Sequence, residues 1–287
     1  MGEHVKHKTV VLLVIVAEVI VVILLLRTFL PSNIRYEQLV EQVVPPTGKT
    51  IAVRWGDMGR KLVEVGAIDL AKFESRYGGL NAEQRAILQG DRLEEITLRP
   101  DNIQFWTNVL WAQGLTQQSK VLAEGPMKQN EAQTPLGNYA STAGWGLGSR
   151  PATELYNRER LIALTPAQDE LVYRVAEGIF RPCCGNPTAY PDCNHGMAVL
   201  GLLELMASQG ASAEAMYAAA LAFNSYAFSD SYIKVAAYWA RQGVAWAEVD
   251  TALILGPAYS SGQGARRVAA IVGEIPGAPK QGGSCSV

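Results

Sequence analysis

The longest apolar stretch of the chain runs from Val10 to Leu26 and is interrupted only by Glu18. Continued through Leu30 as a helix rising about 1.5 Å per residue, it reaches roughly 30 Å, the thickness of a hydrocarbon core. Its many Val, Leu and Ile residues outweigh a single acid that costs about 3 kcal/mol at mid-membrane. Arg27-Thr-Phe-Leu-Pro31 follows, without the small-residue cleavage site of a signal peptide. Residues 1–32 therefore predict an amino-terminal tail and an uncleaved transmembrane helix. Lys6 and Lys8 flank one side, Arg27 and Arg35 the other. A short tail held inside predicts a single-pass cell-membrane protein whose main domain is extracytoplasmic. Glu18 is then either a tolerated acid or a contact to a membrane-protein partner.

Beyond the anchor the pattern predicts a mainly α multi-helix domain. Residues 33–127 read as a small helical subdomain, in which Ile51-Ala-Val53 and Ile96-Thr-Leu98 are strand-like but short. Asp101 is placed to cap a helix carrying Ile103, Trp106, Val109 and Leu110 on one stripe, with Gly114 as its terminator. Residues 128–151 form a Gly/Ser/Thr-rich connection around Trp145. Its Gly144, Gly146 and Gly148 match no nucleotide-loop spacing and predict a flexible or tightly turned loop, of a length that can cover a neighbouring site. In residues 152–275, Thr165-Pro166 with Gln168 forms a capping signal ahead of Leu171, Val175 and Ile179. That helix should stop near Arg181-Pro182. The next, from about His195 to Met206, is apolar apart from Glu204 and should lie in the core. Helices over about 213–228, 231–242 and 264–273 should cover it, and residues 276–287 read as a flexible tail carrying Cys285.

A formal charge of −2 and a pI near 6.0 supply no basic face, so no nucleic-acid partner is expected. Four cysteines are few for a chain long enough to bury its own core, which makes them local devices rather than a disulfide scaffold.

Three of those cysteines, with one of the three histidines, fall between Cys183 and Gly196. The loop joins two helices, so Cys193 and His195 stand in or just before the first turn of the second. There the free amides and the helix dipole favour thiolate. Asp192 or Asn194 is placed to cap that helix, and Pro187 and Pro191 stiffen the approach. Thiolate and imidazole donors suit a transition-metal ion, zinc or copper above others. The candidate ligands are Cys183, Cys184, Cys193 and His195, with Cys285 able to arrive on its tether. Two other readings stay open: a structural disulfide such as Cys184–Cys193, and catalysis by a Cys–His pair. Covalent haem attachment is excluded, because no two cysteines are separated by two residues with histidine following. Ser231 and Lys234 have the spacing of a serine–lysine pair but lack its companion motifs.

The stretch Phe180-Arg-Pro-Cys-Cys-Gly-Asn-Pro-Thr-Ala-Tyr-Pro-Asp-Cys-Asn-His-Gly-Met-Ala198, with Ser141–Gly148 and the glycine-cysteine tail, resembles uncharacterised bacterial membrane-anchored proteins bearing this cysteine-histidine motif. More distantly it is similar to exported bacterial proteins with a PCYCGC-type motif, whose alternating cysteines this chain lacks. The expectation is a membrane-anchored metal-binding protein that holds, transfers or senses an ion rather than an enzyme. The alternatives are a disulfide-stabilised accessory subunit of a membrane complex and a thiol–disulfide oxidoreductase.

Overall fold

Six helices of eleven residues or more carry the architecture in a computed structural model that describes residues 35–279: α1 (Ile103–Thr116), α2 (Pro166–Gly178), α3 (Asn194–Ser208), α4 (Ala213–Ala227), α5 (Ser229–Ala240) and α6 (Gly262–Val272). α1 and α3 are mostly apolar, and nearly every residue of each is buried. Such helices can only be satisfied by being enclosed. They pack on each other at the centre, α2 and α4 lie against α3, and α5 connects α4 to α6.

The α1–α3 crossing is set by two glycines. A Cβ on Gly114 would lie 2.1 Å from the Met197 carbonyl oxygen, and one on Gly201 would lie 2.5 Å from that of Leu110. Buried Gln113 donates across the same contact to the Gly201 carbonyl at 2.7 Å. Gly114 is thus not the terminator expected from sequence. The helix runs on to Thr116, and the glycine is there to let two backbones touch. The expected cap is not made: the helix begins one residue later, and the Asn102 side chain accepts from the Arg99 amide rather than from a first-turn amide. Asn102 occupies the N-cap position, while Asp101 pairs with Arg99 at 3.1 Å.

Elsewhere local sequence and structure agree. Thr165 and Gln168 form the reciprocal capping box of α2, and the Gln168 amide continues to the Ala207 carbonyl at 2.8 Å, tying α2 to α3. The two strand-like tripeptides extend into β1 (Lys49–Gly56) and β2 (Arg92–Leu98), an antiparallel pair with Ile51 opposite Ile96. β1 buries Ile51, Val53 and Trp55 on one face, and Trp55 meets Trp106 of α1 edge-to-face at 5.4 Å. The resulting core runs from Leu39 to Ile275 and is mainly helical.

Membrane anchoring is corrected. Among the described residues no helix is long and apolar enough to cross a membrane. α3 has 15 residues, about 22 Å of helix, short of the roughly 30 Å needed, and its apolar surface is covered by its neighbours. The stretch Val10–Leu26, with Glu18, lies outside the described residues. Among the described residues nothing carries the expected single-pass topology, extracytoplasmic placement or membrane partner, and what they form is a mainly helical domain. Its glutamates that form ion pairs do so within the chain.

Candidate metal centre

The site forms where the chain leaves α2 and turns back to begin α3. Ile179 closes α2 in an extended conformation. The segment then folds over that helix end, with the Thr188 amide on the Ile179 carbonyl at 2.7 Å and the Ala189 amide on the Ala176 carbonyl at 3.0 Å. On its other side the first amide of α6, from Gly262, donates to the Cys184 carbonyl at 2.6 Å. The residues 128–151 connection also reaches it: the Ser141 amide donates to the Asp192 carbonyl at 3.0 Å, and the Tyr139 and Tyr190 hydroxyls meet at 2.8 Å. That connection is itself pinned by Trp145, whose ring nitrogen donates to the Ala67 carbonyl. The Leu147 and Gly148 carbonyls are occupied by the Asp69 amide and Lys72. Of its three glycines, Gly148 is buried against the Gly66 and Ala67 carbonyls, while Gly144 and Gly146 are exposed.

Cys183, Cys184 and Cys193 converge, their sulfurs all within 4.8 Å of one another. Cys183 and Cys193 stand 3.6 Å apart. Three thiols gathered this closely on a loop bridging two helices do not arise from hydrophobic packing, since Cys183 is exposed and the other two are only part-buried. All three are free thiols. The 3.6 Å separation is well beyond a disulfide bond of about 2.05 Å, yet close to the roughly 3.8 Å between two thiolates on one tetrahedral zinc.

Arg181 organises this arrangement from beneath. Its side chain is fully buried, and its guanidinium donates to Cys193 Sγ at 3.0 Å, to the carbonyls of Asn186 and Tyr190 at 3.2 Å each, and to Asp192 Oδ1 at 2.7 Å. Asn186 Nδ2 donates to the other carboxylate oxygen of Asp192 at 2.8 Å. A buried guanidinium is tolerated only when its donors are met by acceptors and its charge by anions. Here the anions are Asp192 and the sulfur of Cys193, and burial notwithstanding, the neighbouring thiols hold the guanidinium firmly protonated.

Cys193 is itself the N-cap of α3, its sulfur accepting from the Gly196 amide at 3.5 Å. Of the two residues expected to cap the helix, Asp192 is instead committed to Arg181 and Asn186, while Asn194 is the first helical residue and its side-chain oxygen accepts from the His195 amide at 2.9 Å. Hydrogen bonds from Cys183 and Cys184, reinforced by Arg181, push the Cys193 thiol far below the ordinary range. Cys183 moves the opposite way through its hydrogen bonds to the other two thiols and through burial, and Cys184 is also raised. Within the cluster these shifts favour thiolate at Cys193 and the protonated form at Cys183 and Cys184.

His195 is placed differently. Its ring lies against Phe228 with centroids 4.6 Å apart, and burial lowers its pKa. It does not belong to the group of donors that converge within 4.8 Å. Cys285 lies outside the described residues. Met197 and Met206 are core side chains of α3. Two clefts, of about 690 and 620 Å³, open elsewhere on the surface, and neither is lined by the cysteines or His195.

Comparison with protein-family models, with curated proteins and with solved structures finds no match.

Sequence reasoning read Arg181 only as the point where α2 stops. The residue that polarises the cluster carried one visible signal: an arginine between Phe180 and the Pro182-Cys183-Cys184 run, where a helix end should have been covered by apolar residues. Gly196 was likewise unremarked. A Cβ there would sit 2.5 Å from the Arg181 guanidinium, so the glycine makes room for it.

Proposed function

We propose that this protein holds one thiophilic metal ion through Cys183, Cys184 and Cys193, with Arg181, Asp192 and Asn186 as the frame behind the ligands. The observation that carries the reading is the meeting of three free sulfurs within 4.8 Å. Zinc or monovalent copper fits a donor set made wholly of thiolates. Zinc would leave one position for an exchangeable ligand on the exposed Cys183 side, whereas copper(I) is satisfied by three sulfurs. An open or three-coordinate shell suits holding and passing on an ion better than permanently stapling a fold, for which closed four-ligand sites are used. The disulfide alternative is disfavoured by the sulfur separation, and catalysis by a Cys–His pair by the seating of His195 on Phe228.

Metal reconstitution of the reduced protein tests this. Elemental analysis after desalting should give about one ion per chain. Cys193→Ser should lose it, and His195→Ala should retain it. Full occupancy in Cys193→Ser, or loss in His195→Ala with the fold intact, would refute this ligand set.

A further inference from the structure

We propose that the three-thiol cluster is also an oxidation switch: a hydroperoxide joins Cys193 to Cys183 as a disulfide, and the bound ion is released. This rests on the metal-holding reading and adds its regulation.

The geometry distinguishes the three sulfurs. Cys193 Sγ receives the Arg181 guanidinium at 3.0 Å and the Gly196 amide at 3.5 Å, donors that hold an anionic sulfur, and thiolate is the form that attacks a peroxide. Cys183 Sγ lies 3.6 Å away, on an exposed residue. Cys184 is less available. Its carbonyl is fixed by the Gly262 amide at 2.6 Å and its sulfur faces the Asn186 carbonyl at 3.8 Å. Joining it to adjacent Cys183 would also need a distorted ring through their shared peptide bond.

In the first step the Cys193 thiolate attacks one peroxide oxygen. The O–O bond breaks, and the departing hydroxide or alkoxide takes a proton from water, leaving Cys193 as a sulfenic acid. Cys183 sulfur then attacks Cys193 sulfur, the S–O bond breaks, and hydroxide leaves with the Cys183 proton as water. The two sulfurs give up the two electrons that the peroxide gains. Only Cys184 then remains as a thiol ligand, too few to hold an ion. The Arg181–Asp192–Asn186 bonds involve neither sulfur of the new bond except through Arg181 Nε, so the frame persists and reduction regenerates the site.

The test uses the full chain loaded with zinc and treated with hydrogen peroxide, reading zinc release with a chromophoric chelator and disulfides by peptide mass mapping. The expected result is a Cys183–Cys193 cross-link formed in step with zinc release, and recovery of binding after a dithiol reductant. Metal-free Cys183→Ser should instead accumulate a Cys193 sulfenic acid that dimedone traps, and metal-free Cys184→Ser should still form the cross-link. A reduced protein that binds zinc but keeps its thiols under peroxide, or a cross-link through Cys184 or Cys285, overturns the switch while leaving the metal reading intact. Failure of the reduced protein to bind zinc overturns the metal reading, and the release function with it.

Discussion

Arg181 is where the chemistry of the loop and the stability of the fold meet. Replacing it with Met would leave Asp192 facing Asn186 alone, the carbonyls of Asn186 and Tyr190 without their donor, and Cys193 without its cation. Breaking a buried ion pair from one side costs about 3 kcal/mol or more, and loss of a supporting partner commonly lowers metal affinity by about 10- to 100-fold. Chemical denaturation and competitive metal titration of Arg181→Met should show both effects. Gly196→Ala approaches the same point from the other side, because its Cβ would press on a guanidinium that four hydrogen bonds keep in place. The pH behaviour of the cluster follows from its proton content. Cys183 and Cys184 are raised and must each lose a proton to bind, while Cys193 is already ionised. Binding should therefore release about two protons per ion, and affinity should rise with pH across the neutral range. Isothermal titration in buffers of different ionisation enthalpy measures that number. Glu204 gives the opposite slope in stability. It is wholly buried in α3, and burial, only partly offset by the neighbouring Ser119 hydroxyl, raises its pKa well above 4.5. The folded state thus keeps a proton that the unfolded chain releases above about pH 4.5. Its contribution is complete below that pH and is lost as pH rises through the folded value. Glu204→Gln should be more stable at pH 7, on the order of 2 kcal/mol, and should flatten the stability profile between pH 5 and 7, as read by urea unfolding.

At the scale of elements, the α1–α3 crossing governs where the site can form, since α3 presents Cys193 only if its axis is fixed against α1. Gly114→Ala puts a methyl within 2.1 Å of a backbone carbonyl that cannot move without shifting α3. A loss of about 3 kcal/mol is expected from such overpacking, visible as a lowered denaturation midpoint. This glycine also shows why part of the fold was unreadable. A helix-terminating glycine and a helix-crossing glycine look alike in one dimension, and only the partner backbone of Gly201 tells them apart. The capping box of Thr165 and Gln168 was legible because both its members lie within one turn. The same holds for the strands: the apolar tripeptides revealed their existence, whereas their length depended on pairing across 40 or so residues. The cysteine loop was half legible. Ligand-type residues could be counted along the chain, but the exclusion of His195 is decided by Phe228, from the junction of α4 and α5, and the role of Arg181 by an aspartate eleven residues on.

Taken as a whole, the molecule encloses two almost wholly buried helices with others around them and brings Cys183, Cys184 and Cys193 together at one end of that core, at the start of α3. One continuous core from Leu39 to Ile275 means that the loop is supported from α2, α3, α6 and the glycine-rich connection together. Such support keeps the sulfurs near their bound separations before an ion arrives, which reduces the ordering that binding must impose. X-ray absorption at the metal edge of the zinc-loaded protein tests this account most directly. It should show a shell of about three sulfurs at roughly 2.3 Å, lost with the ion in Cys193→Ser and unchanged in His195→Ala. A shell made only of nitrogen and oxygen, or one that loses a nitrogen when His195 is replaced, would contradict it.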